Sequence, residues 1–544
     1  HLNQSTRMTS IDRRKLLGAS ALAAAALALP GRMAFGAQQG EATPAPGPAI
    51  PPEAADYAND WPMVQGDYSA HRNAANSAIN TSNVSELDVA WQIPLKVSSA
   101  YGAITGPPLV LGETIYFQDM QSNVYAINRA DGSLIWEKKY DAPSYGPNGI
   151  AVGYGMIFGS TGTFKEAFAI RAGTGEEVWR VKLTNSKNEN ILMAPTLYDN
   201  TLYISTAASY VGGARGILFA LDINDGSTLW QWNVATDNLW GKARVNSGAT
   251  IWYPPSVDDE GNIYFGTGNP APFPGNNGES RPGPNLYSSS MVSLDTVEGS
   301  VRWYVQAKPH DVLDHDFQQS PVLVETEING RPTKLAIGAG KTGTVIAVDA
   351  DTGRVVWEIK VGEHNEYGDG APLPATPVTV LPGTYGGVES PMAFANDTLF
   401  VPVLNLASKF SETEWDVPTA LADATGELLA IDVTNGSTKW AAKLETFTSA
   451  AATVAGDVVF TGGLDGVVHA YDVETGDEVW TYQAPAGLNA PLVIAGDMLF
   501  IGAGSPYYVN SDNPPTPELQ LVALKLGGNA SGTPAVLPSL PSGS

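Results

Sequence analysis

The chain contains no cysteine, and its 30 Lys+Arg are outnumbered by 56 Asp+Glu. The first absence removes disulfide frameworks, cysteine-ligated zinc, iron–sulfur clusters, covalently attached c-type haem and thiol nucleophiles together. The second leaves a net charge of −26, which argues against nucleic acid or an anionic membrane as the main partner, because a phosphate surface needs clustered cations. Signature motifs are missing as well. There is no Gly-x-Ser-x-Gly elbow for a serine hydrolase, no Gly-x-x-x-x-Gly-Lys-Ser/Thr phosphate loop and no His-Glu-x-x-His metal helix. What is plentiful is apolar and turn-forming material: 43% hydrophobic residues, 57 Gly and 39 Pro in 544 residues, enough for a large core joined by many turns.

The ends of the chain read differently from its body. Arg13-Arg14 precedes the apolar run LLGASALAAAALALP and small residues around Ala34 to Ala37, the pattern of an export signal. IDRRKLLG resembles a twin-arginine signal, and the run is too short for a comfortable membrane span of ~20 residues. The expected organisation is a signal over 1–37, starting at Met8 and cleaved after Gly36, and a Pro/Ala-rich linker over 38–55. The folded body follows over 56–526 and a flexible tail over 527–544, and the protein is expected to be exported, periplasmic or extracellular.

Within the body one phrase returns seven times: AINRADGSLIW, AIRAGTGEEVW, ALDINDGSTLW, SLDTVEGSVRW, AVDADTGRVVW, AIDVTNGSTKW and AYDVETGDEVW. Each reads as a strand, a tight Gly-containing turn and a return strand bearing Trp, with another alternating run upstream. That is a four-stranded blade per repeat, not the strand–helix alternation of a dinucleotide fold. The last repeat, ending at Leu519 to Leu526, stops before its turn and Trp, whereas Trp91 in VSELDVAWQIPL has no upstream repeat. The N-terminal strand therefore completes the last blade, which predicts an all-β, closed eight-bladed propeller of antiparallel blades. Uneven spacing of the Trp residues locates long loops near Gly268 to Tyr287, Gly362 to Ser390 and Leu404 to Thr425.

The repeated Trp phrase resembles the tryptophan-docking motif of the quinoprotein alcohol dehydrogenases, which bind pyrroloquinoline quinone (PQQ) on the propeller axis. The resemblance covers roughly Asp60 to Leu526 and includes the opening WPMVQGDYSAHRNAA. It implies Trp252 as the floor beneath the quinone and Asn269, in Gly-Thr-Gly-Asn-Pro, as a metal ligand beside it. A flat cofactor needs a flat apolar partner, and a hard cation needs oxygen. In AKPHDVLDHDFQQSPV it implies Asp314 as the catalytic carboxylate. Asp316 makes an Asp-x-Asp pair that resembles the extra carboxylate of lanthanide-dependent methanol dehydrogenases. Lys341, in GAGKTGTV, would reach the quinone oxygens.

The resemblance thus implies PQQ with calcium or a lanthanide held by Asn269, Asp314 and Asp316, an alcohol substrate, and a separate acceptor such as a c-type cytochrome. Two departures stand against it. The metal-binding Glu of the family has no counterpart before Arg215, where the chain offers Tyr210 and Val211, and a cysteine-free chain has no capping disulfide over the quinone. A non-enzymatic propeller serving as an extracytoplasmic scaffold is the alternative, because related propellers carry the docking phrase for blade packing alone.

Overall fold

Strands of alternating or wholly apolar residues, cut by Gly turns, fold here as a meander. The computed structural model describes residues 49–528 apart from 97–98, 100, 209, 237, 366, 368–371, 417–420 and 508–516. The expected signal lies outside the described residues, as do most of the linker and tail. Eight antiparallel sheets follow one another. Blade 1 is built from Leu109–Leu111, Thr114–Gln118, Val124–Asn128 and Leu134–Lys138, and the same order repeats through blade 7, Thr448–Ala455 to Glu478–Gln483. The eight-bladed ring expected from the repeats is therefore present.

Blade 8 takes three strands from the end of the described body and its fourth from the beginning. Leu87–Pro94 pairs with Gln520–Leu526, with Trp91 opposite Ala523. Closure removes the free edge that an open array would present. First strands are mostly buried, apart from the far end of Val322–Ile328 in blade 5, and fourth strands are half exposed, so each blade runs from the channel outward.

The repeat phrase has a simple packing explanation. In every blade the Trp of the fourth strand lies across from a small residue of the third, as Ala220 faces Trp230 and Ala347 faces Trp357. The indole then leans on the turn of the next blade. Trp230 N–H donates to Thr296 O at 2.9 Å, and a Cβ added to Gly299 would lie 2.6 Å from the Trp230 ring. Gly299 also has φ +66°, so glycine is required there twice over. Trp480 is the exception that follows from closure. Its neighbour, blade 8, has no third-to-fourth turn, because its fourth strand comes from the other end of the body.

In such a blade, the first-to-second and third-to-fourth turns lie at one end of the ring, and the second-to-third loops and interblade connections at the other. Residues 61–84 cross the first end. Trp61 pairs with Val110 of blade 1, and the backbone then bonds Val257, Leu323, Phe394, Val454 and Gly496 of blades 4 to 8. Fully buried Arg72 pins this segment, donating to Val64 O, Ala452 O and Leu492 O at 2.7–3.1 Å. Part of the expected linker also packs against the body. Pro52–Asp56 is a helix, and Glu53 accepts from the backbone N–H of Tyr154 and Gly155, so the ordered structure begins before Ala55.

All three long loops lie at the opposite end. They add two small sheets there, Ser247–Gly248 with Pro270–Ala271, and Val378–Val380 with Ser408–Phe410 and Trp415–Asp416. Beneath them, Phe273, Leu313, Leu373, Val380 and Phe410 form an apolar cluster of their own.

Candidate active site

The loop-bearing end is where the residues singled out from the sequence meet. Phe317 N–H donates to Thr267 O at 3.0 Å, clipping the segment after blade 4 to that blade's second-to-third loop. This places Asn269 against Asp316, whose Oδ1 accepts the Asn269 backbone N–H. Gly268 permits the approach, since a Cβ there would sit 2.8 Å from Asp316 Oδ1. Lys341 enters from the second-to-third loop of blade 5, and its Nζ lies 3.0 Å from Asp316 Oδ2 and 3.4 Å from Asp314 Oδ2. The same Nζ stands 4.8 Å from the centroid of the Trp252 ring. Asn269, Asp314, Asp316 and Lys341 are all buried, and Trp252 is half-buried.

Asp314 is held in an uncommon conformation. Its φ is +59°, a left-handed geometry that Asp tolerates better than most residues. The turn is supported by Asp311, which accepts the backbone N–H of Leu313 at 3.1 Å and of His315 at 3.0 Å. Burial works against the Asp311 charge, but Lys308, the His315 backbone N–H and Arg281 outweigh it and hold this carboxyl below the ordinary range. His315 is kept neutral, its pKa pulled to about 3 by burial and by Lys308. Its Nδ1 therefore accepts from Lys308 Nζ at 2.8 Å and its Nε2–H donates to Pro382 O at 2.9 Å. The acidic segment is thus divided by role, with Asp311 serving the turn and Asp314 facing the lysine.

The centre itself has more carboxylate than ammonium. Burial raises Asp314 well above the usual carboxylate range, with Asp316 adding and Lys341 opposing. Burial also disfavours the Lys341 charge, yet Asp314 and Asp316 together hold the ammonium protonated. Asp316 Oδ2, although close to Lys341, has no hydrogen-bond partner of good geometry. An ammonium between two carboxylates is a stand-in cation, and the donors around it are hard oxygens of the kind that calcium and lanthanides accept. Asn269 donates through Nδ2 to Pro270 O at 3.2 Å, so of its amide atoms the oxygen is the one suited to a cation. The residues therefore fit an oxygen-ligated cation beside a flat ring over Trp252. Among the described residues, no group of three or more His, Cys, Asp or Glu has metal-holding geometry, so the candidate site consists of two carboxylates and an amide.

At the position lacking the expected Glu, Tyr210 turns its hydroxyl to Asp314 Oδ1 at 3.4 Å. Sequence reading missed Glu389. Its Oε2 is 3.4 Å from Gln318 Nε2, its Oε1 is buried without a partner, and burial raises its pKa to about 7 while Lys341 opposes. A periodic signal could have found it. Trp252, Gln318 and Glu389 each stand four residues ahead of a first strand, beginning at Ser256, Val322 and Ala393.

Residues 61–154 and 190–369, half of the chain, match the family model described as glucose/ethanol/alcohol dehydrogenase, β-propeller domain. Trp252, Asn269, Asp314, Asp316 and Lys341 all fall inside the matched range. Residues 424–523 match a second model, described as the outer membrane protein assembly factor BamB. The chain is 26% identical over 480 residues to a quinohemoprotein alcohol dehydrogenase from Comamonas testosteroni, covering 75% of this chain and 66% of that one. It is 29% identical over 342 residues to the XoxF protein of Paracoccus denitrificans, covering 55% of each. It thus spans less than two thirds of the length of either relative. A solved structure titled europium-containing methanol dehydrogenase shares the fold, with a TM-score of 0.73 at 20% identity over 86% of this chain and 98% of that one. With the repeats, the closed ring and the family match in agreement, the chain belongs to the PQQ-dependent, quinoprotein alcohol dehydrogenase family of eight-bladed propellers.

Proposed function

We propose that the protein is a quinoprotein dehydrogenase that oxidises an alcohol to the corresponding carbonyl compound. The observation that carries this reading is the convergence of Asp314, Asp316, Lys341 and Trp252 at the loop-bearing end of the ring. When bound, PQQ with its cation supplies a two-electron acceptor for hydride and a Lewis acid that polarises it. Trp252 offers the apolar face on which such a flat group rests. Asn269, Asp314 and Asp316 hold the cation. Asp314 takes the hydroxyl proton of the substrate as hydride leaves the adjacent carbon, so the O–H and C–H bonds break and a C=O bond forms. Lys341 places positive charge where negative charge develops on the acceptor. Tyr210, bonded to Asp314, orients that carboxylate.

A c-type cytochrome is a suitable carrier for the two electrons taken from the substrate. The export-like N-terminus supports action outside the cytoplasm, and no helix among the described residues is long and apolar enough to cross a membrane. The BamB-model match of residues 424–523 favours a second reading, a propeller that only binds other proteins. A scaffold has no use for two buried carboxylates on one lysine. Reconstitution with PQQ and either calcium or a lanthanide tests the choice. Quenched Trp fluorescence, quinone absorbance and alcohol-dependent dye reduction are expected, and a protein inert in all three assays is the scaffold.

A further inference from the structure

Lys341 is the one feature of the centre that conflicts with a bound cation. Its ammonium sits 3.0 Å from Asp316 and 3.4 Å from Asp314, in contact with the two carboxylates that a metal ion would need. Two cations sharing that pair in a buried site would repel each other, the more so because the metal carries two or three charges. An ammonium displaced within a buried site to a place with no counter-ion would be an uncompensated buried charge, which is strongly disfavoured. The lysine therefore needs a second acidic partner within reach.

Blade 6 supplies one. Val388 N–H donates to Gly340 O at 2.9 Å, fixing the strand entrance that carries Glu389 beside the turn that carries Lys341. Gln318 bridges the two residues, accepting the Lys341 backbone N–H through Oε1 at 3.3 Å and donating through Nε2 to Glu389 Oε2 at 3.4 Å. Glu389 Oε1 is buried with no hydrogen-bond partner. An acceptor oxygen left unsatisfied in the interior is destabilising, and an incoming ammonium would satisfy it.

We propose that Glu389 is the second seat of the Lys341 ammonium: when a cation enters between Asp314 and Asp316, Lys341 moves from that pair to Glu389. Glu389 then governs cation affinity without ligating the cation, as a positioning residue that acts through Lys341. This rests on the cation site of the proposed function.

A double-mutant cycle on the quinone-free protein tests it, read by terbium luminescence sensitised through the nearby aromatic rings. Glu389→Gln is expected to weaken terbium binding about tenfold, since the displaced lysine loses its partner. In a Lys341→Met background, where no ammonium has to move, the same change should alter affinity less than about twofold. Equal losses in both backgrounds would mean that Glu389 acts directly on the metal, and no loss in either would mean that it plays no part; both overturn the proposal. If the unsubstituted protein binds no terbium, the cation site itself is wrong and this inference falls with it. Thermal melts of all four proteins identify a misfolded variant, for which Glu389→Ala replaces Glu389→Gln under the same expectations.

Discussion

Asp314 and Asp316 are two residues apart, yet the geometry gives them different tasks. Asp314 adopts a left-handed backbone that Asp311 stabilises, and its carboxylate meets both Lys341 and the Tyr210 hydroxyl. Asp316 is tied through Oδ1 to the Asn269 backbone and reaches the lysine with Oδ2. Asp314→Asn should keep the left-handed turn, which Asn also tolerates, and should retain cofactor binding while turnover falls by ~10²–10⁴-fold, because an amide takes up no proton. Steady-state dye reduction set beside quinone titration checks this, and an active mutant removes Asp314 as the base. Asp316→Ala should weaken a trivalent lanthanide more than calcium, since the higher charge draws more from each anionic ligand. Competition titration of the two ions measures the difference. Trp252→Ala should lower quinone affinity by about tenfold, the scale of one aromatic stacking contact, as read from quinone absorbance on dialysis.

At the scale of the element, the repeated phrase describes an interface between blades as much as a blade. The small residue opposite each Trp, the Gly beneath its ring and the carbonyl that accepts its N–H belong to two neighbouring sheets. Gly299→Ala should therefore destabilise the protein by ~1–3 kcal/mol, because the added methyl meets the Trp230 ring and φ is positive. Denaturant midpoints measure the loss, and Gly173→Ala, with nothing within 4 Å of the added Cβ, serves as the control. The elements also show why part of the site was readable in advance. Trp252, Asn269, Asp314 and Lys341 occur in recognisable local phrases, and the structure brings Asn269, Asp314, Asp316, Lys341 and Trp252 to one place. Glu389 stands in no such phrase; its position four residues ahead of a first strand is the one signal the repeat offers, and the hydrogen bond between Val388 and Gly340 is what sets it beside the turn of Lys341. Tyr210 was noticed only as the absence of a carboxylate, whereas its hydroxyl in fact meets Asp314.

Across the whole molecule, closure decides what is edge and what is core. The strand Leu87–Pro94 covers Gln520–Leu526, and residues 61–84 cross the end of the ring away from the site. A chain shortened to begin at residue 97 would expose both a strand edge and the covered first-to-second turns of six blades, and it should self-associate during sedimentation. A truncated protein that stays monomeric and folded would show that closure is dispensable. The sequence alone determined the blade, the number of blades and the way the ring shuts, because those follow from local alternation, turn chemistry and a repeat broken at its two ends. Only the tertiary structure decided that an ammonium occupies the space between Asp314 and Asp316, that Tyr210 faces Asp314 and that Gln318 joins Glu389 to the backbone of Lys341. Those contacts join residues 23 to 104 positions apart in the chain, and a charge-paired centre is set by which loops a closed ring brings together, a property carried by no single repeat.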